Sequence, residues 1–311
     1  MEFQHRMLRT AVLAVTDKAL RDIPRDPRRS LRNLVDLGAS CASGAQQKRF
    51  FARAQAALAS PSSPYYKLAT RAVASVDAQR LRILAENVGG SALTYGVSQL
   101  RRREQELGCR LPWLVAFDQP LPADSPLIRE ANSFGCYAFL CWGAPVAAVC
   151  ALARRNPYSA FLASFSPEEI GPAQAQTIRE TPNLIVSVVL DGREDGAEAF
   201  ALLREARCLF GCLARCAADD FARLTGAEFQ NRLIEQGCLY LSLYPDPIDG
   251  PISGQLDRYV QGARGREKGR PLLLFQLPRD LWGVAEAVSP GSPVLRADPT
   301  RGLLEQLDAR T

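Results

Sequence analysis

Histidine is almost missing from this chain. His5 is the only one, and it falls in the first helical stretch. A His-ligated metal centre or a Ser–His–Asp triad in the body of the chain is therefore excluded by inventory. Lysine is nearly as scarce: only Lys18, Lys48, Lys67 and Lys268 stand among 38 basic residues, so 34 are Arg. No segment approaches the roughly 20 apolar residues that span a bilayer. The apolar run Ala11–Val15 is short and is closed by Thr16-Asp17-Lys18, so neither a signal peptide nor a membrane partner is expected. The nine Cys are odd in number and mostly embedded in apolar runs, as reduced thiols of the cytoplasm are.

What is present is globular. The 311 residues are 47% hydrophobic and 23% charged, enough for a substantial core. The net charge of +5 is mild, and the Arg excess is spread along the chain. Its densest cluster, Arg101-Arg102-Arg103, is followed by Glu104 and Glu106 and reads as a solvated helix face. A nucleic-acid partner is not expected.

Residues 1–108 read as an all-helical N-terminal extension. Leu8, Val12, Val15, Ala19 and Ile23 share one helical face, and Pro24 stops the run. Asn33–Leu37 reads as a short helix closed by Gly38. Gln46–Leu58, Tyr65–Val76 and Ala78–Asn87 follow, with Asp77 as an N-cap. Gly89-Gly90 should break the chain before a helix over Ser91–Leu107.

Residues 109–311 change rhythm. Short apolar runs begin near 112, 136, 159, 183, 208, 238 and 271, spaced 23 to 33 residues apart with a helical pattern in each gap. Such alternation means repeated βαβ units and a parallel sheet. Unbroken apolarity says that both strand faces are buried. Seven or eight units predict an α/β fold: a parallel (β/α) barrel, partial or near-complete and TIM-like.

In such a barrel, ligands bind in the loops after the C-terminal strand ends. Those loops hold Asp118-Gln119, Trp142-Gly143-Ala144, Ser164–Ser166, Asp191-Gly192-Arg193, Cys216, Tyr244 with Asp246 and Asp249, and Gln276 with Arg279. Asp118, Asp191 and Asp246 are the candidate catalytic residues. Convergent, they would suit Mg²⁺ or acid–base chemistry; turned away, they would cap the following helices. Cys208, Cys212 and Cys216 have a tempting metal spacing, but on a strand neighbours would lie about 13 Å apart. On a helix they would form a stripe about 6 Å per step. Neither converges on one cluster, so no metal site is expected.

Several landmarks occur in a suggestive order: Asn33-Leu-Val-Asp-Leu-Gly38, Gln47-Lys-Arg-Phe-Phe51, Pro64-Tyr-Tyr66, Val76-Asp77, Asn87-Val-Gly-Gly90, Leu93-Thr-Tyr-Gly96 and Leu111-Pro-Trp113. They resemble the helical N-terminal extension of a group of bacterial radical SAM proteins, and the strand–helix rhythm is similar to the partial barrel of that superfamily. The resemblance implies a [4Fe–4S] cluster on a C-x3-C-x2-C loop after the first strand, and S-adenosylmethionine on a Gly-Gly-Glu-Pro turn after the second. Here the first loop, Phe117-Asp-Gln-Pro-Leu-Pro-Ala-Asp-Ser125, contains no Cys. The turn is Trp142-Gly143-Ala144-Pro145, with Glu replaced by Ala and the first Gly by Trp. No Cys follows Cys238, where auxiliary clusters would be ligated. Without thiolates there is no cluster to chelate S-adenosylmethionine or reduce its sulfonium.

The chain therefore resembles a degenerate member, a pseudoenzyme with no cofactor. It would bind a peptide or protein partner, an active radical SAM relative among the candidates. Two alternatives stand beside this reading: a carboxylate enzyme using Asp118, Asp191 and Asp246, and an active radical enzyme whose cluster ligands come from Cys136, Cys141, Cys212 or Cys216, or from a partner chain.

Overall fold

In the computed structural model, residues 3–40, 42, 45–191, 196–266, 269–298, 301 and 303–308 are described. The extension comprises α1 (Phe3–Asp22), α2 (Pro27–Ser40), α3 (Ala45–Ala57), α4 (Pro64–Ser75), α5 (Ala78–Ala85), a π-helix (Glu86–Tyr95) and α6 (Gly96–Leu107). Next come β1 (Leu114–Phe117), α7 (Pro126–Phe134), β2 (Ala138–Cys141), α8 (Val146–Arg155), β3 (Ala160–Phe165), α9 (Pro172–Arg179), β4 (Leu184–Leu190) and α10 (Ala197–Glu205). The chain continues through β5 (Phe210–Cys216), α11 (Phe221–Thr225), α12 (Ala227–Glu235), β6 (Tyr240–Pro245), α13 (Pro251–Arg264), β7 (Leu273–Gln276), α14 (Leu277–Val288), β8 (Val294–Arg296) and α15 (Leu303–Asp308).

All eight strands are parallel, in the order β7-β6-β5-β4-β3-β2-β1-β8, and the sheet curls into a half-barrel. The two faces divide by the period-two alternation of a strand. In β4, Leu184, Val186, Val188 and Leu190 enter the main core with the surrounding helices, while Ile185 joins a second cluster with Tyr240 and with Val76 after α4. Ala92, Val97 and Leu100 of the extension belong to the main core.

The sheet does not close, and the edge of β7 shows why. Leu273 N–H donates to Leu239 of β6, so in a parallel ladder Leu274 and Gln276 present their backbone groups to the free edge. Two of those groups, Leu274 O and Gln276 N–H, are already taken. Arg264 donates to Leu274 O through Nε at 2.9 Å and Nη2 at 2.6 Å, and Asp280 accepts from Gln276 N–H at 2.9 Å. Arg264 and Asp280 are themselves paired at 2.6 Å. A charged fork thus covers the edge on which β8 would otherwise pair.

The extension seals the N-terminal end of the strands. Arg80 is buried and donates to Ile178, Arg179, Thr181 and Leu184 carbonyls at 2.6–3.1 Å, where α9 turns into β4. Arg71 does the same at Ile234, Cys238 and Pro271, below β6 and β7. Asn87 donates to Pro157 and Ser159, below β3. Trp113 Nε1, just before β1, donates to Ala92.

Three local expectations are corrected. Gly38 does not close a short helix: α2 runs to Ser40, and a Cβ at Gly38 would lie 2.2 Å from the Phe51 ring of α3. Its glycine serves packing rather than capping. Gly89-Gly90 does not break the chain either, since a π-helix carries it from α5 into α6. The bare glycine that matters is Gly96, where a Cβ would sit 2.3 Å from Gly135 O. Finally, the Arg101–Glu106 segment is not simply solvated. Arg101 donates to Val288 O, and buried Glu104 accepts from Leu111 N–H, Ser289 Oγ and Arg110. Asp77 is an N-cap, accepting from Arg80 N–H at 3.0 Å.

Candidate functional site

With the N-terminal end sealed, the strands' other end is the mouth. The turn Trp142–Pro145 joins β2 to α8. Trp142 N–H donates to Phe117 O at 2.7 Å, extending the β1–β2 ladder by one residue. Gly143 has φ +66, and a Cβ there would lie 2.9 Å from Asp118 O, so glycine is required on both counts. Pro145 precedes the first residue of α8, and Ala144 is buried.

Trp142 then crosses the barrel. Its ring meets Tyr244 of β6 edge to face, centroids 6.2 Å apart and planes at 89°. β3, β4 and β5 lie between those strands in the sheet, so the contact bridges the inner face. The indole N–H is buried with no acceptor among the described residues. Below it, Tyr240 reaches over Gly211 to Ser187 Oγ at 2.9 Å and Val186 O at 2.7 Å. The interior is filled by side chains at both levels.

The three candidate carboxylates are kept apart. Asp118 pairs with Arg296 of β8, which holds its carboxyl below the usual range through their hydrogen bond. Asp191 pairs with Arg215 of β5 at 3.6 Å. Asp246 is exposed, and its carboxylate has no ion-pair partner among the described residues. None caps a helix: those positions fall to Ser125, Gly196 and Gly250. No group of three or more His, Cys, Asp or Glu side chains among the described residues is arranged to hold a metal ion. Gly192, Arg193 and the side chain of His5 lie outside the described residues.

The cluster implied by the radical SAM resemblance does not fit these residues. The loop after β1 offers no thiol. Cys141 is buried beside Ala148, Val149 and Leu152 of α8, around a cavity of about 10 Å³ that has room for one water. Burial pushes the Cys136 and Cys141 thiols up to about 12 and the Cys216 thiol up to about 11. Cys212 moves in the same direction for the same reason. Cys208 precedes β5, and all three members of its series sit in the main core.

Arg215 and Arg296, the cations of the mouth, were not foreseen. Arg215 was legible as the one charge interrupting an apolar strand. Arg296 sits on a three-residue strand with no apolar run long enough to register. No protein-family model matches the chain, and no curated protein sequence matches it.

Proposed function

We propose that the chain is a non-catalytic barrel of the radical SAM type, acting as a binding protein for a protein or peptide partner. One observation carries the reading. The turn that would seat S-adenosylmethionine instead bears an indole packed against Tyr244 across the mouth. The thiol-free loop after β1 and the arginine-paired Asp118 and Asp191 support it from the other two sides of the site. Asp118, held below the usual carboxylate range by its hydrogen bond to Arg296, is a poor general base.

The test is anaerobic reconstitution with iron and sulfide, reading bound iron and the visible absorption of an iron–sulfur cluster. No retained iron is the expected result. About four irons per chain, lost when Cys141, Cys212 or Cys216 is replaced, would instead establish an active radical enzyme with displaced ligands.

A further inference from the structure

Charge is divided unevenly along the chain. Residues 1–108 hold 18 basic and nine acidic residues, net +9, while residues 109–311 hold 20 basic and 24 acidic, net −4. The positive charge is concentrated on the α2–α3 hairpin. Arg25, Arg28, Arg29, Lys48, Arg49 and Arg53 are all exposed there, and none is in an ion pair among the described residues. The hairpin's two acids are occupied locally: Asp26 accepts from Arg29 N–H and Asp36 from Gln55 Nε2. Amid the arginines stand two exposed apolar side chains, Leu37 at 41% and Phe50 at 46%.

The rim of the mouth has the opposite charge: its cations Arg215 and Arg296 are paired with Asp191 and Asp118, and further carboxylates surround them. Asp124, Glu168, Asp219, Asp246 and Asp249 are exposed in the loops after β1, β3, β5 and β6. It too has an exposed apolar residue set among its charges: Ile248, 43% exposed, between Asp246 and Asp249. No ion pair joins hairpin to rim within one copy among the described residues.

We propose that two copies of the chain associate through these surfaces, the basic α2–α3 hairpin of one on the acidic rim of the other. Phe50 and Leu37 meet Ile248, and the arginines meet the surrounding carboxylates. Complementary charge supplies attraction and register, while the desolvated apolar centre supplies contact area. The interface is heterologous, because the two patches differ. It holds whether or not the barrel is catalytic.

The experiment is sedimentation velocity of the full chain at low salt and at about 0.5 M salt, where screening shortens to a few Å. Self-association at low salt, weakened at least about tenfold by the added salt, is expected. Two charge reversals then locate it. Arg28→Glu/Arg29→Glu/Arg53→Glu removes the hairpin half, and Glu168→Lys/Asp219→Lys/Asp249→Lys removes the rim half. Each variant alone should sediment as a monomer with an unchanged melting temperature. Mixed one to one, they should pair again, since each retains the half the other lacks. A monomer at low salt, an association unaffected by either reversal, or a mixture that stays monomeric would each overturn the proposal. So would a monomeric chain whose hairpin binds anionic vesicles or RNA instead. Iron uptake, which tests the barrel's inactivity, does not move with any of these readouts.

Discussion

The two ends of the half-barrel use the same side chain in opposite ways. At the N-terminal end, a buried arginine and a half-buried one donate to backbone carbonyls: Arg80 to four of them, Arg71 to three. At the mouth, Arg215 and Arg296 are 63% and 72% exposed and face carboxylates. A guanidinium buried among carbonyls cannot be removed without stranding every acceptor it served. An exposed ion pair is screened by solvent, and its partners return to water when it is lost. The sealed end therefore carries stability, and the mouth is energetically free to change.

The sharpest way to break this comparison is Arg80→Ala. It should cost about 3–5 kcal/mol in chemical denaturation, because four carbonyls of the α9–β4 junction lose their donor. Arg80→Lys should recover little, since an ammonium cannot reproduce the planar fork. Arg296→Ala, by contrast, should lower the denaturation midpoint only slightly, on the scale of an exposed ion pair. Equal losses at the two ends would refute the distinction.

Gly96→Ala comes next. The added methyl would press on Gly135 O, where α6 crosses the start of β2, so a loss of about 2–3 kcal/mol is expected. At the mouth, Trp142→Ala should lose about 1–2 kcal/mol of packing. Trp142→Phe keeps a ring and deletes the unpartnered N–H, so it should be neutral or stabilising by up to about 1 kcal/mol. A clear loss on Trp142→Phe would mean that the indole N–H has a partner after all.

Alkylation of the native protein, mapped by mass spectrometry, addresses the thiols. Cys109 is only half-buried, whereas Cys136, Cys141, Cys150, Cys208, Cys212, Cys216 and Cys238 are buried. Cys109 should be modified well before those seven. The smallest effect is the pH dependence of the Asp118–Arg296 pair. The folded carboxyl titrates below its unfolded value, so its contribution is present above about pH 4 and fades as pH falls through the folded value. Comparing wild type with Asp118→Asn by denaturation across that range should show a small difference at neutral pH that vanishes in acid.

Much of the fold is legible because apolar runs and their spacing are local properties. β4 announces itself in Leu-Ile-Val-Ser-Val-Val-Leu, and α8 in Val146–Arg155 after Pro145. β8 is missed because Val294-Leu-Arg296 has one fully buried residue and draws its identity from pairing with β1. The glycines mislead for a related reason. Gly38, Gly89 and Gly90 look like breakers, but what a glycine does depends on what approaches it, and Phe51 approaches Gly38 from another helix. Among the site residues, the Trp142–Pro145 turn is visible as a motif. That Trp142 ends on Tyr244, and that Asp118 and Asp191 each meet an arginine from a different strand, is not.

The sequence by itself determined the inventory: one His, no thiol in the loop after β1, a helical first part and a longer strand–helix part. Those follow from residue identity and short-range periodicity, which need no partner to be read. Only the tertiary structure decided that the extension seals the N-terminal end of the strands, that the barrel stays open between β7 and β8, and that the mouth is bridged by an aromatic pair. Each of these joins residues far apart in the chain, Arg71 to Pro271 or Trp142 to Tyr244. Such contacts form only after the sheet has curled and brought them within reach.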